Sequence, residues 1–203
     1  MTTAADFDRQ VTRFEKLRDG KDDFCELRKS LLSDVQGDVL EIAPGPGFNF
    51  PFYQSITSLT AVDLSPKMIE SAEAAWKKMT VTPATFITAD IMEVDLAPHS
   101  FDSIVSTCSL CAYEDPVAVL NRLGEWCKPD GTIYLLEHGL SDNWLMRQAQ
   151  KLYEPIHHKI HACHCNRDIA DIVKRSNLNV VSIKKPKRYA VIDFMYSIVA
   201  KPQ

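Results

Sequence analysis

The sequence predicts an α/β protein in which a mostly parallel sheet is covered by helices on both faces. Two observations carry this expectation. From residue 35 onward, short apolar runs alternate with longer amphipathic stretches, the order that puts helices between parallel strands. The first run, Val39-Leu40-Glu41-Ile42, passes straight into a loop holding two prolines and two glycines, as expected where a strand meets a ligand-binding edge.

The chain has 203 residues, which suits one domain with a full core. A single unit over residues 1–203 is expected, with a helical cap at 1–34 and a core over 35–203. The composition, 45% hydrophobic and 25% charged, is ordinary for a soluble globular protein. A formal charge of -4 gives no basic face for nucleic acid. Lys184, Lys185, Lys187 and Arg188 form one local basic run, read as a solvated edge, with an acidic substrate or a membrane surface as the alternative. No apolar run reaches the ~20 residues that span a bilayer. The polar start, MTTAADFDRQ, lacks signal and transit patterns. The six cysteines do not form a disulfide framework, so a reducing, cytoplasmic compartment is expected. Oligomeric state is left open.

Each element follows from its pattern. Phe7, Val11, Phe14 and Leu17, then Phe24, Leu27, Leu31 and Leu32, recur at helical spacing, with Gly20 between the runs. Strands are expected at Asp38–Ile42, Ser58–Val62, Ala84–Thr88, Phe101–Thr107, Thr132–Glu137, Val180–Lys184 and Phe194–Ala200. Helices are expected at Pro66–Met79, Pro116–Cys127, Asn143–Ile160 and Arg167–Ser176. Pro129-Asp130-Gly131 reads as a turn, because proline pre-sets one angle and glycine permits a positive one.

The loop after the first strand should border the site. Gly45 and Gly47 let backbone approach a ligand. The run Gly45-Pro46-Gly47-Phe48-Asn49-Phe50 breaks the dinucleotide fingerprint at its last position. Glu41 presents an anion, poor company for pyrophosphate and good company for an ammonium or sulfonium. Asp63 closes the second strand, about twenty residues on, where an acid accepts both hydroxyls of a ribose. Ser65 is a better cap than Asp63 for the next helix. Asp90 closes the third strand, where it can accept from an adenine amino group while Ile91 packs on the ring.

The series VLEIAPGPG, AVDLSPKM, FITADIMEVDL, FDSIVSTCSLC and CKPDGTIYLLEHG resembles the class I S-adenosylmethionine-dependent methyltransferases over residues 35 to 200. The resemblance implies a Rossmann-like, seven-stranded sheet in the order 3-2-1-4-5-7-6, its last strand antiparallel, with S-adenosyl-L-methionine as cofactor. It implies that Glu41, Gly45 and Gly47, with Ala43 and Asn49 in the same loop, hold the methionine part. Asp63 would hold the ribose and Asp90 the adenine, with Leu64 and Met68 flanking the ring and Thr107 and Cys108 on the far wall. Ala43 stands where the family usually has glycine; its methyl is tolerable if the local φ is negative. NFPFY, CSLC, LLEHG and EPIHH…CHCNR also resemble a membrane-associated thiol methyltransferase group that typically starts with a hydrophobic membrane segment; from the polar first residues here, no such segment is expected.

Methyl transfer from a sulfonium needs the nucleophile in line, about 3–3.5 Å from the methyl. A thiol has a pKa near about 8.5, so a base helps. His138, closing the fifth strand, is the first candidate, followed by His157 and His158 on the helix expected to roof the site. Tyr113 is placed to order the acceptor. A small thiol is the favoured acceptor. A lipid or quinone precursor is the alternative, helped by Phe48, Phe50 and Phe52, and a cofactor-binding scaffold without catalysis is the non-enzyme reading. Cys108 and Cys111 raise a trivalent arsenic acceptor, or simple packing. His157 and His161 lie one helical turn apart, but Cys163-x-Cys165 is tighter than the usual zinc spacing. No metal is expected there.

Overall fold

The computed structural model describes residues 3–20, 22–186 and 194–203. In chain order the elements are α1 (Ala4–Asp8), α2 (Val11–Asp19), α3 (Cys25–Leu32), β1 (Gln36–Ile42), β2 (Ser55–Asp63), α4 (Pro66–Met79), β3 (Ala84–Thr88), β4 (Phe101–Thr107), α5 (Pro116–Trp126), β5 (Cys127–His138), α6 (Trp144–His161), α7 (Ile169–Arg175), β6 (Leu178–Lys184) and β7 (Met195–Pro202). The sheet runs β3-β2-β1-β4-β5-β7-β6. β1 to β5 pair in parallel, and β7 lies antiparallel between β5 and β6. This is the expected Rossmann-like order.

Both faces of the sheet are covered, so its central strands are mostly apolar; Val39, Leu40 and Ile42 of β1 are fully buried. Leu32 of α3 and Trp76 of α4 pack on one face. Leu120 and Leu123 of α5, with Ile169 and Val173 of α7, pack on the other. Helix α6 buries no residue and leaves Leu152 and Ile156 exposed, so it flanks the core rather than forming a layer of it.

Most boundaries follow local chemistry. Ser65 Oγ accepts the Met68 N–H at 3.1 Å, and Pro66 opens α4 where its missing N–H costs nothing. Asn143 caps α6, and Asp168 caps α7, which therefore starts two residues later than expected. The expected turn at 129–131 is instead a bulge inside β5. Cys127 pairs with Phe101 and Thr132 with Ser103, so Asp102 alone faces Lys128–Gly131. Lys128 Nζ reaches Asp102 at 2.8 Å, and a Cβ on Gly131 would sit 2.7 Å from Cys127 Sγ. Of the basic run, Lys187 and Arg188 lie outside the described residues, and Lys185 pairs with Asp142.

Candidate active site

The sheet order reverses between β1 and β4, and a cavity of about 700 Å³ opens beyond the carboxyl ends of β1, β2, β3 and β4. Its volume is that of a small-molecule or cofactor site. Ala43, Pro44, Gly45 and Pro46 border it after β1, Asp63 and Leu64 after β2, Asp90 and Ile91 after β3, and Thr107 and Cys108 after β4. Phe7, Phe14 and Leu17 of α1 and α2 close it from above. Met68 and Tyr113 also line it.

The β1 loop is held in a strained shape. Ala43 has φ 47, so the negative angle at which its methyl would be tolerated is not the one adopted. Its N–H bonds the Val62 carbonyl at 2.7 Å, which fixes the loop against β2 and keeps alanine in the left-handed region. Gly45 has φ 56, and its N–H donates to Asp63 Oδ2 at 3.2 Å. The Ser65 N–H donates to Asp63 Oδ1 at 2.9 Å. Each oxygen of this carboxylate keeps a further lone pair for a ligand. Burial pushes the Asp63 carboxyl up to about 6, against those two backbone bonds. At Gly47, outside the lining, a Cβ would sit 2.4 Å from the Phe50 ring.

Two expected ligand residues lie one layer back. Glu41 is fully buried and does not line the cavity. Its Oε1 accepts from Asn49 Nδ2 and its Oε2 from the Tyr53 hydroxyl, both at 2.7 Å. Burial pushes its carboxyl up to about 7. Asn49 in turn reaches Thr107 Oγ1 at 3.0 Å. A cationic side chain that does border the cavity is Arg28, on α3, which the sequence reading missed. Its Nη1 donates to Asn49 Oδ1 and Thr107 Oγ1, both at 2.7 Å, and its Nε to Asp22 at 2.9 Å. Its spacing gives no hint of this role; a basic residue on the apolar side of a helix, between Leu27 and Leu31, is the one signal available.

Of the aromatic trio expected to favour an apolar acceptor, only Phe48 lines the cavity. Phe50 is buried against Trp76, with ring centroids 5.0 Å apart.

Residues 40–135 match the family model described as a methyltransferase domain. These residues belong to that family. The chain is 30% identical over 176 residues to the mitochondrial methyltransferase OMS1 of Saccharomyces cerevisiae, covering 78% of this chain and 37% of that protein. It is 26% identical over 165 residues to the rat thiol S-methyltransferase TMT1B, covering 76% of this chain and 67% of that protein. Among solved structures, the chain aligns with the TehB-like SAM-dependent methyltransferase of Corynebacterium glutamicum at TM-score 0.67 and 15% identity, over 98% of this chain and 99% of the other. A chain from the Haloferax volcanii complex of the Trm112 methyltransferase activator aligns at TM-score 0.73 and 15% identity, over 97% of each. Among the described residues, no helix is long and apolar enough to cross a membrane.

On the cavity's remaining wall, the candidate bases separate. His138 does not border the cavity; it is the last residue of β5, and its Nε2 lies 3.0 Å from Cys163 Sγ. His157 also turns away, its Nδ1 2.8 Å from the Cys163 carbonyl. His158 does line the cavity, together with His164, which the sequence reading passed over within the CHC stretch. The two rings stack with centroids 4.1 Å apart, and His164 Nδ1 meets Glu154 Oε1 at 2.6 Å. Cys108 faces the cavity while Cys111 is buried with its Sγ toward the Cys108 carbonyl, so the two do not converge on one acceptor. Burial pushes the Cys108 thiol up to about 12. Cys163 goes the other way: hydrogen bonds with Cys111 and His138 hold its thiol well below the usual range.

Glu137, the residue before His138, shapes this wall. It is fully buried and accepts from Ser106 Oγ at 2.7 Å, the Ser109 N–H at 3.0 Å and the Leu110 N–H at 3.1 Å. It thereby fixes the turn in which Cys108 takes φ 54.

Proposed function

We propose that the chain binds S-adenosyl-L-methionine in this cavity and catalyses transfer of its methyl group to a small acceptor, with a thiol as the favoured class. The observation carrying this reading is the convergence of Gly45, Asp63, Asp90 and Arg28 on one cavity at the switch point of the sheet. The relatives named thiol S-methyltransferases support the acceptor class. The cofactor supplies a methyl group already activated on a sulfonium.

The chain's residues do the rest. Asp63 accepts the ribose hydroxyls through its spare lone pairs, and Asp90 accepts from the adenine amino group. Leu64, Met68 and Ile91 pack on the ring. Arg28 takes the methionyl carboxylate; Glu41 serves only through Asn49, which orients Arg28 and Thr107. Phe7, Phe14 and Leu17 exclude water, and Tyr113 borders the acceptor. The acceptor thiol gives its proton to the His158/His164 pair, whose Glu154 partner orients the His164 ring.

Calorimetry with S-adenosylmethionine and its demethylated product, followed by a labelled-methyl screen of thiols and quinols, tests the reading. Asp63→Ala should weaken cofactor binding roughly 10- to 100-fold, as expected for losing bonds to a charged group. Unchanged affinity would remove the ribose assignment. A His158→Ala, His164→Ala double variant should keep its cofactor affinity and lose turnover, least where the pH exceeds the acceptor thiol's own pKa of about 8.5. Turnover of quinols alone would favour the lipid or quinone reading. Tight cofactor binding with no methylated product in any arm would leave a scaffold.

A further inference from the structure

The group in question is Cys111, His138 and Cys163, which the mechanism above does not use. Their ligand atoms all lie within 4.8 Å of one another. They come from three separate segments: the loop after β4, the last residue of β5 and the turn after α6. Among the described residues, they form the cluster of metal-ligating side chains that converges on one point. The helical pair His157/His161 and the Cys163-x-Cys165 spacing, which draw the eye in the sequence, are not that cluster.

We propose that Cys111, His138 and Cys163 bind one thiophilic metal ion, zinc(II) in the first instance, against the outer side of the acceptor wall.

The donor set is two sulfurs and one imidazole nitrogen, the soft and borderline ligands that select zinc over magnesium or calcium. With zinc–sulfur bonds of about 2.3 Å and zinc–nitrogen bonds of about 2.0–2.1 Å, tetrahedral geometry sets the donors roughly 3.6–3.8 Å apart. The present 3.0 Å contact between His138 Nε2 and Cys163 Sγ needs to open by only about half an ångström to meet that spacing. Three protein ligands leave a fourth position for water or an exogenous ligand, since His138 and Cys163 are only partly buried.

The segments are brought together by main-chain bonds that owe nothing to a metal. The His164 N–H donates to the Cys111 carbonyl at 3.0 Å, on the residue next to Cys163. The Leu140 N–H donates to the Arg167 carbonyl at 2.9 Å, tying the end of β5 to the same turn. Ala162 closes α6 at φ 54, which reverses the chain and swings Cys163 inward. None of the three ligands lines the cavity, but Cys111 shares its turn with Cys108, Ser109 and Tyr113, which do. A metal here would brace that wall, and the inference stands whether or not the cavity performs methyl transfer.

The test uses the full chain, purified without chelator in a phosphine reductant. Zinc(II) is titrated against a chromophoric chelator, and metal content is read after gel filtration. One equivalent per chain is expected to survive filtration. Cys111→Ser and Cys163→Ser should each weaken binding roughly 100-fold or more, whereas Cys25→Ser, at an exposed thiol, should leave it unchanged. Cobalt(II) added to the unaltered chain provides a readout that needs no variant. It should give the intense visible bands of a four-coordinate site and sulfur charge transfer. Retention below a tenth of an equivalent, or a six-coordinate cobalt spectrum, would overturn the proposal. So would a Cys111–Cys163 disulfide in reductant-treated protein that takes up no metal.

Discussion

At the scale of single residues, Ala43 carries the clearest cost. A β-carbon at φ 47 is disfavoured by roughly 1–2 kcal/mol, partly offset because alanine restricts the unfolded chain. Ala43→Gly should therefore stabilise the fold by about 1 kcal/mol, raising the melting temperature by roughly 2–4 °C for a chain of this size. A melt by circular dichroism checks this; an unchanged or lower midpoint would mean the loop relaxes around alanine. Position relative to a strand end was readable for Asp63 and Asp90, because parallel strands deliver the residues at their carboxyl ends to one edge. Side-chain direction was not readable. Glu41 and His138 also stand at strand ends, yet one is enclosed by Asn49 and Tyr53 and the other turns toward Cys163. Neighbours in a strand point to opposite faces, so Glu137, not His138, bonds the turn after β4.

At the scale of elements, the cavity's roof is attached to the core by a few side chains. Asp8 of α1 accepts from Ser65 Oγ at 2.5 Å and from the Lys67 N–H at 3.3 Å. Glu15 of α2 accepts from Ser71 Oγ at 2.6 Å, and Arg18 donates to the Pro46 carbonyl at 2.7 Å. Helices of 5 and 9 residues are too short to persist alone, so these bonds and the Phe14–Phe48 contact hold them. An Asp8→Ala, Glu15→Ala double variant should speed amide exchange across residues 3–20 and weaken cofactor affinity, with little change in exchange at β1 or β4. Equal protection in variant and parent would show that apolar contacts alone seat the roof. The apolar spacing of Phe7, Val11, Phe14 and Leu17 foretold helix here, although the chain breaks it at Arg9 and Gln10. Nothing in that spacing foretold which acids would tie the helices down, since Asp8 and Glu15 read as ordinary solvent-facing charges.

At the scale of the whole molecule, three buried carboxyls set the response to pH. Burial raises Asp63 to about 6 and both Glu41 and Glu137 to about 7. In the unfolded chain such groups titrate near about 4. Between roughly pH 4 and 7 the folded state thus holds protons that the unfolded state has released, and stability falls as pH rises through that window. Cys163 acts in the opposite sense, since its folded thiol has released a proton that the unfolded one still holds, but it offsets only one of these three carboxyls. Below about pH 4 the sign reverses, because the depressed carboxyls of Asp38 and Asp102 lose their hydrogen bonds and ion pairs. Melting temperature should therefore peak near about pH 4–5 and decline toward pH 8, with a Glu41→Gln, Glu137→Gln variant showing a flatter slope. A flat or rising profile in the parent would contradict the burial of these groups.

The sequence by itself determined the strand and helix order, the loop that opens the site, and the acids that reach it, because periodicity and chain order dictate which residues arrive at the sheet's carboxyl edge. Only the tertiary structure decided that Arg28 rather than Glu41 faces the cavity, that His158 and His164 stand where His138 was expected, and that Cys111, His138 and Cys163 meet. Those outcomes depend on local φ values at Ala43, Cys108 and Ala162 and on bonds between residues far apart in the chain. No short-range pattern encodes either.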